Sequence, residues 1–180
     1  MSQRAGSQDR SGQDAARWDA VEEASSLLEE AHFDQALRAL KAVVEKDAHN
    51  GYAYNLMGAA FWELKQFGPA KDAFRAAVLV NPDFLGARVS LSHSLRRLRD
   101  PEQAEREARI AIQRSGDDGD AHYALGLALL AQGKRELAAR SLRIFLDSKP
   151  EFEAAQEARG VLAMIDQGHE GEPLDTDEDD

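Results

Sequence analysis

The chain contains no cysteine, which excludes a disulfide framework and any thiolate chemistry. It has no apolar run near the ~20 residues that a spanning helix requires, so no membrane insertion is expected. Its first residues, MSQRAGSQDRSGQD, lack the apolar core of a secretory signal, and a cytoplasmic location is expected. The five histidines, His32, His49, His93, His122 and His169, include no pair at the i, i+4 spacing of a helical metal site and no H-E-x-x-H. There is no phosphate-cradling glycine loop and no nucleophile elbow. Ser90, Ser92, His93 and Ser94 are close in sequence, but neighbouring residues on a helix point in different directions. No cofactor, no metal and no catalysis are therefore expected.

A basic surface is missing too. Of the formal charge of −11, seven units come from Glu170, Glu172, Asp175, Asp177, Glu178, Asp179 and Asp180, with no Lys or Arg among them, leaving −4 for the rest. A weakly acidic body with an acidic tail speaks against nucleic acid, whose phosphates need a cationic footprint.

What is present is a helical pattern that recurs. Over Gly51–Asp83, Tyr54, Met57, Gly58, Phe61 and Leu64 fall at three- and four-residue steps, one face of a first helix. A second helix is predicted from Pro69, with Ala70, Phe74, Ala77 and Val78 on one face and a stop before Asn81-Pro82. Small residues on these faces let the two axes approach closely. Steps of 34 residues connect Ala24, Gly58, Ser92 and Gly126, all small, and Ala36, Ala70, Ala104 and Ala138. The same step connects the stop positions Ala48, Pro82, Gly116 and Pro150.

Tyr54, Met57, Gly58, Phe61, Ala70, Phe74, Ala77 and Pro82 resemble the tetratricopeptide repeat, a helix–turn–helix unit with a W-x₂-L-G-x₂-Y…A-x₃-F…P pattern. The resemblance covers about three quarters of the chain. It implies an all-α fold, a right-handed α-α superhelix with repeats at Arg17–Asn50, Gly51–Phe84, Leu85–Asp118 and Gly119–Phe152. A capping helix is expected over 153–167, with Glu153, Gln156, Glu157 and Arg159 outward and Gly160 weakening it. Residues 1–14 and the acidic tail 168–180 are expected to be disordered around a repeat domain of 15–167.

The first helix is predicted from Ala15 to about Glu30, capped by Asp14, and its partner over about Asp34–Lys46. Val43, larger than the usual alanine, predicts a slightly splayed first interface. Asn50 is a natural cap, and Asp100-Pro101-Glu102-Gln103 reads as a helix start. Phe145, large where Ala77 and Ala111 are small, is expected to meet the final helix.

In the family, the first helices of successive repeats line a concave face that holds a peptide or helical segment of another protein. The resemblance carries that role to Trp18, Val21, Ser25 and Leu28, then to Tyr52, Asn55, Ala59 and Trp62. It continues with Val89, His93, Arg96 and Arg97, then Tyr123, Leu127 and Leu130. Aromatics and arginine are the residue types that dominate binding hot spots. Packing between repeats is the competing reading for the rings, and a solvated face for Arg96 and Arg97. The clamp that some family members use for a terminal carboxylate is missing, because Val21, Ser25 and Gly86 stand at its positions. The implied function is a non-catalytic adaptor, monomeric, with an apolar-anchored protein partner. The alternative is a dedicated chaperone similar to secretion chaperones built from these repeats. The acidic tail is a solubilising segment or one that folds back on His93, Arg96 and Arg97.

Overall fold

The computed structural model describes residues 12–115 and 118–167. The chain divides into two compact units, Met1–Ala87 and Arg88–Asp180. The first unit contains α1 (12–19), α2 (Glu22–Glu29), α3 (Phe33–Lys46), α4 (Gly51–Glu63) and α5 (Phe67–Val80). Helix α6 (Leu85–Arg97) carries the boundary. The second unit continues with α7 (Pro101–Ser115), α8 (Gly119–Ala131), α9 (Arg135–Asp147) and α10 (Phe152–Asp166). The tail and residues 1–11 lie outside the described residues.

The second and fourth helix pairs are held by a match of volumes sixteen residues apart. A Cβ built on Gly58 would lie 2.6 Å from the ring of Phe74, and one on Gly126 would lie 2.8 Å from Leu142. The glycines are therefore the space into which the facing side chains pack. In the first pair Ala24 and Leu40 share a core cluster. In the third both register residues, Ser92 and Ala108, are small, and the Ser92 hydroxyl donates to the Ala104 carbonyl at 2.8 Å. Ala36, Ala70, Ala104 and Ala138 are all fully buried.

The corners inside the pairs recur with the same period. Ala31, Lys65, Arg99 and Gly133 all have positive φ, between 57° and 72°. At each, the next residue's N–H bonds back five residues: His32 to Leu27, Gln66 to Phe61, Asp100 to Leu95 and Lys134 to Leu129, at 2.7–3.0 Å. This is a Schellman closure, and only the fourth copy uses the glycine it favours. Asp100 also caps α7, accepting from the Gln103 N–H at 3.1 Å and from the Gln103 side-chain amide. His32, Gln66 and Lys134 cap α3, α5 and α9 without a side-chain bond. Helix α5 begins at Phe67, so Pro69 lies inside the first turn and does not open the helix.

Between pairs the turns are closed by side chains. Asp47 Oδ1 accepts from the His49 N–H at 2.9 Å, and Asn81 Oδ1 from the Asp83 N–H at 3.2 Å. Asn50 and Asp118 cap α4 and α8, each accepting from the N–H three residues on.

The first helix departs from the single run predicted over Ala15–Glu30. It starts at residue 12, so Asp14 lies within it, and it breaks at Ala20–Val21. Val21 has φ −113° and ψ 0°, and its N–H reaches only to Trp18, at 2.9 Å. The reason is visible in the repeat register. Ala53, Ala87, Ala121 and Ala155 occupy one position and are at most 5% exposed, whereas the corresponding residue of the first repeat is Asp19. A lone carboxylate cannot enter that core, so the chain turns α1 aside and Asp19 stays exposed. Asn50, itself buried, secures α1 by donating to the Arg17 carbonyl at 2.9 Å, and Arg17 Nε donates to Asp47 at 2.8 Å. That guanidinium, with the His49 N–H, holds the Asp47 carboxyl below its ordinary range.

In the second unit α10 packs on α9. Phe145, 2% exposed, clusters with Ala158 and Val161, as its size predicts. The face of α10 that a further helix would cover is polar: Gln156, Arg159 and Asp166 stand at the register positions of Tyr54, Met57 and Leu64. Gly160, at the position of Gly58, has nothing within 4 Å of a built Cβ.

A polar clamp ties α7 to the α8–α9 corner. Glu105 accepts from Lys134 Nζ, Gln132 Nε2 and Arg109 Nε, each at 2.8 Å. Burial pushes the Glu105 carboxyl up, but hydrogen bonds from Lys134, Gln132 and Arg109 outweigh it and bring it down to about 2.

Two predictions follow from this packing. Gly58→Ala gains about 1 kcal/mol of helix propensity but overpacks Phe74 at a cost of about 1–3 kcal/mol. It is therefore expected to destabilise the chain, whereas Gly160→Ala is expected to stabilise it by about 0.5–1 kcal/mol. Urea unfolding of the two variants, giving opposite signs, checks the volume match. Because the Glu105 carboxyl is held below its unfolded value of 4.5, its contribution is present above that pH and is lost as pH falls towards about 2. Glu105→Gln should cost on the order of 1.5–3 kcal/mol at pH 7 and flatten the acid limb of the stability curve. Parallel wild-type and variant curves from pH 7 to 2 would refute the clamp.

Candidate functional site

In the first unit the candidates gather around an aromatic ladder. Trp18, 48% exposed, meets Tyr52 edge-on at 5.5 Å, and Tyr52 meets Phe84 at 5.6 Å. Tyr52 also packs on the cluster of Val21, Ala24, Leu40 and Ala53, so it is half core and half surface. Trp62 stands apart, partly buried and edge-on to Phe67 at 5.0 Å. Asn55 is partly buried on the same helix, α4. T-shaped pairs of this kind hold rings in one orientation.

Helix α1 borders two clefts. One, about 380 Å³, is lined by Arg17, His49, Tyr52, Asn81 and Phe84. The other, about 440 Å³, lies against Ala16, Ala20, Val43 and Asn50. Phe84 was not among the sequence candidates because it sits at a repeat boundary. Asp19, breaking an otherwise unbroken alanine series, was the available signal for α1.

In the second unit, His93 of α6 and Tyr123 of α8 have ring centroids 6.0 Å apart, and Tyr123 lies 4.8 Å from Phe145. Val89 packs on the cluster of Ala124, Leu125 and Leu129, and Leu127 and Tyr123 on that of Leu142 and Phe145. These side chains are therefore partly committed to the core. Arg96 and Arg97 form the last turn of α6, where cations complement the helix dipole. The nearby hydroxyls are spent on backbone: Ser94 donates to the Ser90 carbonyl at 2.9 Å, as Ser92 does to Ala104.

Electrostatics divides the cluster. Burial, and then the charge of Arg96, pushes the His93 imidazole down to about 4. Burial, followed by the Glu157 carboxylate, raises the Tyr123 phenol. The positive charge of this face therefore comes from arginine and not from histidine. Among the described residues no group of three His, Asp or Glu is placed to hold a metal ion, and no helix is long and apolar enough to cross a membrane.

A tetratricopeptide repeat family model matches residues 21–87, 89–150 and 123–171. No curated protein matches the chain. Among solved structures the chain is similar to MamA, at 21% identity and a TM-score of 0.71 over 81% of this chain and 83% of that one. It is similar to YrrB, a TPR protein with an unusual peptide-binding site, at 20% and 0.66 over 84% and 78%. A third likeness is the first TPR of Spaghetti (RPAP3) bound to the HSP90 peptide SRMEEVD, at 19% and 0.57 over 64% and 93%. At these identities the likeness carries the fold alone, an all-α tetratricopeptide solenoid.

The His93 reading is open to direct measurement. Its ring protons, followed by NMR, should titrate with a midpoint near 4 in place of the ordinary 6.5, and Arg96→Ala should move that midpoint up. A midpoint near 6.5 in the intact chain would show that the ring is solvated and charged at mildly acidic pH.

Proposed function

Because the chain belongs to the tetratricopeptide repeat family, we propose that it is a non-catalytic interaction module that binds a peptide or helical segment of another protein through exposed side chains on the first helices of its pairs. The observation that carries this reading is the set of large, partly exposed side chains on the first helices of the pairs. Trp18, Tyr52 and Trp62 supply rigid rings in the first unit, and His93, Arg96, Arg97 and Tyr123 supply polar and cationic groups in the second. Rings already held by neighbouring rings lose little freedom on binding. Two of the similar structures are of proteins with a peptide-binding site or a bound peptide, which supports a protein partner. A cytoplasmic adaptor acting as a monomer is the form this proposal takes.

The test is selection of displayed random peptides on the full chain, followed by calorimetric affinities for Trp62→Ala and for Arg96→Glu/Arg97→Glu. Each variant should weaken the selected peptides by about tenfold or more, the scale of a hot-spot loss, with helicity unchanged. Undiminished affinity in both variants would place binding elsewhere on the chain.

A further inference from the structure

Helix α1 is eight residues long. Isolated helices shorter than about 12–15 residues are marginal in water, so α1 stays helical only while it is seated on the body. Its seating is light. Every residue of α1 is exposed except Arg17, which is half-buried, whereas Val21 beyond it is fully buried. Gln13 and Arg17 line both clefts, so α1 is the wall between them, with open space on either side. It is held by the Asn50 amide on the Arg17 carbonyl, by Arg17 on Asp47, and by Trp18 edge-on to Tyr52. Both partners of that ion pair are about a third exposed, where such pairs contribute little.

The groups that receive α1 are fixed without it. Asp47 Oδ1 is held by the His49 N–H at 2.9 Å, and Asn50 Oδ1 by the Ala53 N–H at 3.1 Å. Tyr52 is braced from another side by Phe84, at 5.6 Å. The receiving groups are therefore preformed around the start of α4, while their occupant is lightly attached. The break at Ala20–Val21 supplies a hinge: the Val21 N–H turns to Trp18 at 2.9 Å, and the Arg17 carbonyl goes to Asn50.

We propose that α1 is a detachable lid on a seat formed by Asp47, Asn50 and Tyr52, and that the partner segment this seat takes carries an arginine beside an aromatic ring. The occupant seen here defines that chemistry. Asp47 takes a guanidinium, in a charge-assisted hydrogen bond, and Tyr52 takes a ring edge. The Asn50 amide takes a backbone carbonyl, which the last turn of any short helix offers. That a partner protein displaces α1 rests on the interaction reading above; the lid and the seat do not. Of the rings named for the first unit, Trp18 is then the one that moves, while Tyr52 and Trp62 stay.

The test uses the full chain and a synthetic peptide copying residues 12–21. In the wild-type chain the amides of residues 16–20 should exchange together, about tenfold or more faster than those of α3–α5, as a local opening does. In Arg17→Ala/Trp18→Ala they should lose protection, with α3–α5 unchanged as the sign of an intact body. The peptide should shift the Tyr52 NMR signals of that variant saturably. It should bind the wild-type chain about tenfold or more weakly, because only the open fraction is free to take it. A peptide with alanine in place of its arginine and tryptophan should bind neither chain. Exchange of residues 16–20 in step with α3, or rising along α1 to full protection at residue 20, overturns the lid. Equal peptide affinity for the two chains, or no shift at Tyr52 in the variant, overturns the seat. Failure of the interaction reading shows separately, in the affinities of Trp62→Ala and Arg96→Glu/Arg97→Glu for selected peptides.

Discussion

The fold depends on the fit between a small residue on one helix and a larger one sixteen positions later on its partner. Where the first is glycine, the second is Phe74 or Leu142, and the glycine hydrogen marks the closest approach. Once the crossing is set there, the alanines at the start of each second helix are buried in turn. The remaining surface of the first helices is then left for other uses. Stability in such arrays is a sum over pairs and their interfaces, so this fit acts locally, and each pair carries its own version of it.

The candidate faces of the two units differ in chemistry. The first offers rings that brace one another, Trp18 on Tyr52 and Tyr52 on Phe84. The second combines a phenol, a neutral imidazole and arginines at a helix end. Under the proposed function, partial burial would serve both packing and recognition: a ring fixed from below presents a defined edge or face above. The same burial keeps His93 uncharged near neutral pH, so the positive charge of this face rests with the arginines, which stay protonated.

Much of the helical pattern was legible because its causes are local. The 34-residue steps through Gly58 and Ala70 reflect direct helix contacts, and Asn50 and Phe145 act where their chemistry and size predict. What was hidden came from residues distant in sequence. The break at Val21 depends on the core that Asp19 would have to enter, and the corner residues Ala31, Lys65 and Arg99 are not the glycines that advertise a left-handed turn. The Glu105 clamp joins donors from Arg109, Gln132 and Lys134, a convergence no local spacing announces. For the candidate site, residue type was readable, but division of each ring between core and surface was not.

The corners also bear on how this chain can vary in length. Gln66 closes α4 through its N–H to Phe61 and opens α5 through its carbonyl, which accepts from Ala70. One residue serves both helices, with none to spare. An insertion there would break both bonds and rotate α5 by about 100°, carrying Phe74 away from Gly58. The turn at 47–50 is closed by the Asp47 and Asn50 side chains together with the Asn50 N–H on the Asp47 carbonyl at 3.1 Å. The corners within the pairs therefore hold their length through one residue shared by two helices.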